Sequence, residues 1–215
     1  LNSISLHARD TSELLEEEPL DFSLMQENLR TIEQSVMRID RIVLDLMDTV
    51  SIEQGRLALS LVPSDLGTLL HSVEKDFSSH PSSGNNQLVL TIQPNLPEIS
   101  ADPERLIQVV TNLISNAYRY GKENGHILVR LHLNDTGASE RRSLSLSVED
   151  DGIGISKEEQ KHIFQRFYQV DPSRSGAGTG LGLSMVQQIA EFHNGTVTVK
   201  SAPGDGSIFT VLMFL

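Results

Sequence analysis

From Met25 the apolar residues Leu29, Ile32, Val36, Ile39, Val43, Leu46 and Val50 follow at alternating steps of four and three, and the rhythm stops near Gly55. A seam of this period turns one face of a helix toward other helices in a left-handed bundle. Leu1, Ile4, Ala8, Thr11 and Leu15 keep the same beat ahead of the acidic break Glu16-Glu17-Glu18-Pro19. Residues 1–56 therefore read as a helical hairpin. Two helices alone cannot bury both stripes, so pairing of two hairpins into a dimeric four-helix bundle is expected. Docking of the hairpin onto the rest of the chain is the alternative.

Beyond Gly55 the period changes. Leu57-Ala58-Leu59-Ser60-Leu61 alternates as a strand does, and Pro63-Ser64-Asp65 opens a short helix through Leu69 and Val73. A polar loop over 78–86 precedes the strand Leu88–Ile92. Asp102 followed by Pro103 is a well-signed helix start; Leu106, Val109, Val110, Leu113 and Ala117 share one face, and Gly121 is placed to end the helix. Ile127–Leu131 and Leu144–Val148 alternate as antiparallel strands, and Leu183–His193 is helical. Thr196–Val199 and Ile208–Leu212 make a last hairpin over Pro203-Gly204-Asp205-Gly206. Helices and strands are mixed rather than strictly alternating, so residues 57–215 are expected to be α+β: a mixed sheet with helices on one face.

With 38% apolar residues, 5% aromatics and no Trp, the 215-residue chain should carry an aliphatic core. A formal net charge of −12 argues against a general nucleic-acid binder, whose partner is itself a polyanion. With no cysteine there is no disulfide frame, thiolate metal site or cysteine nucleophile, which fits a cytoplasmic setting. No apolar run approaches the roughly 20 residues that span a bilayer, so membrane contact is expected only through segments outside this chain. Because the first residue is Leu rather than Met, the chain is expected to be part of something longer.

On this scaffold three patches carry chemistry: Asn112-Leu113-Ile114-Ser115-Asn116-Ala117, Asp150-Asp151-Gly152-Ile153-Gly154 and Gly178-Thr179-Gly180-Leu181-Gly182-Leu183. Asn112, Asn116 and Arg119 fall four and then three residues apart, a polar stripe beside the apolar one. Mg²⁺ takes hard oxygen ligands and is usually shared with phosphates, a role an Asn carbonyl can fill. An isolated pair of such amides is more often simply solvated. Asp150 ends a strand ahead of a glycine turn. A carboxylate only accepts hydrogen bonds, and adenine offers an amino donor where guanine offers a carbonyl, so a fixed Asp150 selects adenine. Gly152 and Gly154 let backbone approach the ring, although alone these residues make an ordinary hairpin turn. The third patch runs into a helix start, where loop amides can face phosphates. No Lys-Ser/Thr follows it, and its glycines do not spell G-x-G-x-x-G. Phe164-Gln165-Arg166-Phe167-Tyr168 precedes it, and Pro172-Ser173-Arg174-Ser175-Gly176, with no apolar anchor, is expected to be a mobile lid.

With the patches in this order and Phe164-x-x-Phe167 between the last two, the chain resembles sensor histidine kinases, in whose GHKL-type ATPase fold these are the N, G1, F and G2 boxes. The resemblance implies a truncated dimerisation and phosphoacceptor domain over residues 1–56 and a catalytic ATP-binding domain over 57–215. It implies Asn116 as the Mg²⁺ ligand, Asn112 beside the phosphates, Arg119 as a phosphate contact and Tyr120 stacking on adenine. Asp150 would take the adenine amino group, with Gly152 and Gly154 shaping that pocket. Gly178, Gly180 and Gly182 would hinge a flap over the phosphates, with Thr179 and Leu181 in the same cofactor-binding loop. Asn112 and Arg119 would be the catalytic pair.

Hydrolytic members of the superfamily carry a Glu four residues before the magnesium Asn. Here that position is Asn112, which cannot act as a base, so the resemblance implies transfer of the γ-phosphate to another nucleophile rather than to water. The family's acceptor lies in a His-Glu-Leu-Arg-Thr-Pro-Leu-type box; Leu1-Asn2-Ser3-Ile4 looks like its tail, which places the acceptor just before Leu1. His7, in a context that does not match, is expected on the helix surface. The implied partners are a second copy, forming a homodimer through the hairpin, and the receiver domain of a response regulator. Two other readings stand beside this one: a nucleotide-binding signalling scaffold without turnover, and a hydrolytic GHKL-type ATPase, which Asn112 disfavours.

Overall fold

The computed structural model describes residues 2–14, 22–53, 58–78, 86–134, 142–170 and 179–215. The acidic break, the expected lid at 172–176 and Gly178 lie outside the described residues. The chain divides into two units, Leu1–Leu57 and Ala58–Leu215. Among the described residues no helix is long and apolar enough to cross a membrane.

The first unit is helix α1 (Asn2–Leu14) packed along helix α2 (Phe22–Glu53). The heptad seam of α2 splits in two. Met25, Ile32 and Ile39 are half-buried, whereas Leu29, Val36, Val43 and Val50, each a heptad apart, are 42–55% exposed. A single hairpin thus covers the first line only as far as Ile39, since Leu46, next on it, is 50% exposed, and leaves the other line in water. On α1, Ile4 and Thr11 are half-buried but Ala8 is exposed. His7 is not a surface residue as expected. It is half-buried, and its Nδ1 lies 3.1 Å from Oδ1 of Asn28, a buried polar residue of α2.

The second unit opens with a small antiparallel pair, β1 (Val62–Ser64) on β3 (Ile99–Ala101). Of the strand expected over 57–61, Leu57 lies outside the described residues and 58–61 form no strand; the Ser60 amide donates to the Asp102 carboxylate at 2.9 Å instead of to a strand neighbour. Helix α3 (Leu66–Ser78) follows, with Asp65 accepting from the amides of Gly67 and Thr68 as its cap. Strands β2 (Gln87–Ile92), β4 (His126–Asn134), β5 (Ser143–Asp150), β6 (Thr196–Ser201) and β7 (Ser207–Phe214) make a five-stranded sheet in the order β2-β4-β5-β7-β6. Only the β2–β4 pair is parallel, so the sheet is mixed.

Alternation sends Ile127, Val129 and Leu131, Leu144, Leu146 and Val148, and Phe209, Val211 and Met213 to one buried face. Against it lie α3, α4 (Pro103–Tyr120) and α5 (Gly182–Phe192). Helix α4 buries Leu106, Val109, Val110, Leu113, Ile114 and Ala117, one apolar stripe at helical spacing. Each such Leu or Ile contributes about 1.5–3 kcal/mol relative to its exposed state. Phe209 supplies the one aromatic ring among the buried apolar residues described, so the core is aliphatic.

The start of α4 is fixed by an unusually full set of bonds. Asp102 caps the helix through the Arg105 amide at 3.2 Å while its other oxygen holds Ser60. Its own amide donates to Nε2 of the buried His193 at 3.0 Å, and His193 Nδ1 sits 2.8 Å from the Ile189 carbonyl near the end of α5. An acceptor at Nε2 and a donor at Nδ1 define one neutral tautomer. Gly121 ends α4 as expected, but in extended rather than left-handed backbone.

Burial opposes the charge on Asp102, but the amides of Ser60 and Arg105 and the Arg105 guanidinium outweigh it and hold the carboxyl below its usual range. For an acid so depressed, the stabilisation is complete above about pH 4 and is lost as pH falls through the lower folded value. Asp102→Asn should therefore be less stable by about 1 kcal/mol at pH 7. Urea unfolding at decreasing pH should show the gap between the two proteins closing.

Candidate functional site

Asp150 ends β5 and is 7% exposed. Its Oδ1 accepts from the Gly152 amide at 2.9 Å, which closes the turn that follows. The turn is pressed against the end of α4: the Ile153 amide donates to the Tyr120 carbonyl at 3.1 Å, and a β-carbon at Gly152 would stand 2.1 Å from that oxygen. Only glycine allows this approach. Gly154 has φ +68°, and a β-carbon there would fall 1.8 Å from the Ala202 carbonyl oxygen. Burial pushes the Asp150 carboxyl up; the amides of Gly152 and Ser207 pull against that, and the neighbouring charges of Asp151 and Glu149 add to it.

The α4 stripe grades outward along the helix. Asn112 is buried, Asn116 is half-buried and Arg119 is exposed, with half-buried Tyr120 as the last helical residue beside the Asp150 turn. Helix α5 starts next to Asn112: a β-carbon on Gly182 would lie 3.5 Å from Asn112 Oδ1. Before it, the Leu181 amide donates to Thr179 Oγ1 at 3.2 Å, and Leu181 itself is 2% exposed, so its side chain anchors the loop in the core and only its backbone can face a ligand. Gly180 has φ +71° and packs on Phe167, whose amide donates to the Gly180 carbonyl at 2.9 Å. Phe167 is itself left-handed (φ 63°) and 65% exposed. The amide-bearing helix therefore stands between the Asp150 turn at its end and the glycine loop along its side.

Sequence reasoning missed what stands behind the turn. The β6–β7 tip supplies Gly206, where a β-carbon would fall 2.0 Å from the Asp150 carbonyl oxygen, and Ser201, whose hydroxyl takes the Ile155 amide at 2.8 Å. Gly204-Asp205-Gly206 reads only as a hairpin turn, and its second glycine was the available signal.

Among the described residues no group of three His, Cys, Asp or Glu side chains is placed to hold a metal. A half-buried amide such as Asn116 suits Mg²⁺ that arrives with phosphates and keeps its waters better than it suits a metal caged by protein alone.

Residues 101–215 match the family described as histidine kinase-, DNA gyrase B-, and HSP90-like ATPase. The circadian input-output histidine kinase CikA of Synechococcus elongatus is 34% identical over 190 residues, covering 86% of this chain and 24% of that protein. The chain thus spans about a quarter of that relative's length. The histidine kinase AdeS of Acinetobacter baumannii shares the fold, with a TM-score of 0.68 at 24% identity over 99% of this chain and 94% of that one. Full-length ShkA, solved in complex with AMPPNP, aligns with a TM-score of 0.68 at 25% identity over 99% of this chain and 45% of that one.

The backbone contacts behind Asp150 separate two neighbouring glycines. Gly204 has φ +88° with open space where a β-carbon would go, whereas Gly206 has φ +76° and faces the Asp150 carbonyl. Gly204→Ala should cost about 1 kcal/mol, the left-handed penalty alone. Gly206→Ala should cost about 3 kcal/mol or more, because the two segments must also part. Denaturant unfolding of both variants checks the order.

Proposed function

The chain belongs to the family of histidine kinase-, DNA gyrase B- and HSP90-like ATPases, as a histidine-kinase ATPase domain, and from that premise we propose that it binds Mg²⁺-ATP and passes the γ-phosphoryl group to a histidine, from which an aspartate of a response-regulator receiver domain takes it. The bond from the β–γ bridging oxygen to phosphorus breaks as a bond from an imidazole nitrogen forms, and ADP leaves with the bridging electrons. The observation that carries this reading is the placement of Asp150: a buried carboxylate at the end of β5 whose turn packs against Tyr120, the last residue of α4, one helical turn beyond Asn116 on the helix that Gly182 meets at Asn112. Adenine at one end and phosphates at the side fit that spacing.

In this reading Asp150 accepts from the adenine amino group, Tyr120 borders the ring, and Gly152 and Gly154 keep the wall thin. Asn116 and Asn112 serve the magnesium and the phosphates, Arg119 adds positive charge, and the loop through Thr179, Gly180, Leu181 and Gly182 covers them, with Gly178 as the outer hinge. The metal, when bound, neutralises charge on the phosphates. Asn112 has no basic oxygen to activate water, which favours transfer over hydrolysis. The acceptor is a histidine other than His7, whose ring is engaged with Asn28 inside the hairpin.

The exposed half of the seam supports a homodimer, since pairing two hairpins along Leu29, Val36, Val43 and Val50 completes a four-helix bundle. Residues 1–56 are then the dimerisation part and 57–215 the catalytic part, working in the cytoplasm.

Asp150→Asn separates function from stability. An acid whose folded pKa is raised is held best when protonated, and that stability is lost as pH rises through the folded value. At pH 7 the variant should therefore be at least as stable as the native chain, while ATP affinity falls by one to two decades, roughly 1.5–3 kcal/mol for a bond to a charged group. Calorimetric titration and thermal unfolding read the two effects. Labelled ATP added to a chain extended to include the acceptor box should label that histidine. An unlabelled box with intact ATP binding would favour the scaffold, and rapid release of free phosphate would favour the hydrolase.

Val36→Glu with Val43→Glu should convert the dimer to monomer in analytical ultracentrifugation without loss of nucleotide binding.

A further inference from the structure

Strand register sets Asp150, Ser207 and Ser201 side by side across β5, β7 and β6 on the helix-facing side of the sheet. At this edge the turn after β5 and the β6–β7 tip meet backbone to backbone, and the Gly204 amide donates to the Ile153 carbonyl at 2.7 Å. Ser201 Oγ accepts from the Ile155 amide and donates to the Gly206 carbonyl at 2.6 Å. Its single proton is then committed, so Ser207 Oγ, 3.1 Å away, is the donor between the two hydroxyls. The Ser207 amide in turn favours the ionised Asp150 carboxylate.

One side chain ties the two segments together from outside. Gln160 lies on the short 3-10 turn Glu159–Lys161, half-buried, at the root of the stretch that leads to Phe164 and Phe167. Its Nε2 is 2.8 Å from the Ile155 carbonyl and 2.9 Å from the Ser201 carbonyl. Both protons of one amide are thus used, one on each segment. Glu has the same shape but would set acceptors against two carbonyls, and Leu would fill the space and bond neither.

We propose that Gln160 is a positioning residue for adenine recognition: by clamping the carbonyls of Ile155 and Ser201 it fixes, through Ser201 and Ser207, where the Asp150 carboxylate stands. The inference rests on Asp150 being the adenine anchor. Gln160 does not touch the base itself. Its clamp also sets where the segment toward Phe167 and Gly180 begins, so the purine wall and the base of the flap share one fastening.

A double-mutant cycle on the full chain tests this, with adenosine, ADP and AMPPNP titrated calorimetrically. Gln160→Leu should weaken all three ligands by a similar factor, about tenfold, because the loss lies at the base and not at the phosphates. In an Asp150→Asn background the same change should add little, since it acts through that carboxylate. Ser201→Ala, which removes one hydroxyl from the relay and leaves Gln160 in place, should give the same non-additive pattern and serves if Gln160→Leu folds poorly. A purely structural role would lower the melting temperature while leaving the affinities of the folded protein unchanged, or would add its full effect to that of Asp150→Asn; either result overturns the proposal. Failure of the native chain to bind any of the three ligands would instead overturn the reading of the site. Native binding that Asp150→Asn weakens and neither relay variant does would overturn this inference alone.

Discussion

Where β5 ends, the chain has no room for side chains. The Tyr120 carbonyl meets Gly152, the Ala202 carbonyl meets Gly154 and the Asp150 carbonyl meets Gly206, each closer than any β-carbon would permit. These contacts decide where the carboxylate points, because they weld three separate pieces of chain into one surface: the end of α4, the turn after β5 and the β6–β7 tip. Hydrogen bonds in the same place, from Ile153 to Tyr120 and from Gly204 to Ile153, use the polar groups such close packing would otherwise strand. The amide stripe of α4 inherits its position from the same weld, since the helix that carries Asn112 and Asn116 is the one whose last carbonyl is gripped.

The site stands against the preferences of the fold around it. A carboxylate buried at a sheet end is harder to ionise than one in water, and here the neighbouring charges of Asp151 and Glu149 make it harder still. Amides directed at it offset part of that burden. Left-handed backbone recurs in the same region, at Gly154, Gly180 and Gly206 and also at Phe167, where a bulky residue occupies a conformation that glycine prefers. Strain and a buried carboxyl collect at the candidate site, while the aliphatic core between sheet and helices supplies the compensating stability.

Much of this was legible in the sequence. Helical and alternating periods located the long elements, because burial on one face imposes them, and Asp102-Pro103 marked the start of α4 by capping chemistry. The three patches were visible because glycines and paired amides are conspicuous when they recur in order. What escaped was set by distant pairing. Strand β3 has three residues, too few for a period to show, and Ala58–Leu61 alternates yet is drawn away by the Ser60–Asp102 bond. His7 lies beside its partner Asn28 only once the hairpin has formed. Gln160 and Ser201 are ordinary polar residues in the sequence, 41 positions apart, and they meet because β5 and β6 both pair with β7, which sets Ser201 beside the turn that leads to Gln160.

His193 shows how far a single proton reaches in this fold. One ring nitrogen takes the amide at the head of α4 and the other gives to a carbonyl near the tail of α5, so the imidazole works as a crosspiece only with its hydrogen on Nδ1. The two helices that bear on the glycine loop are thus yoked through one side chain, and a residue there that lacked either nitrogen would leave one of them unfastened.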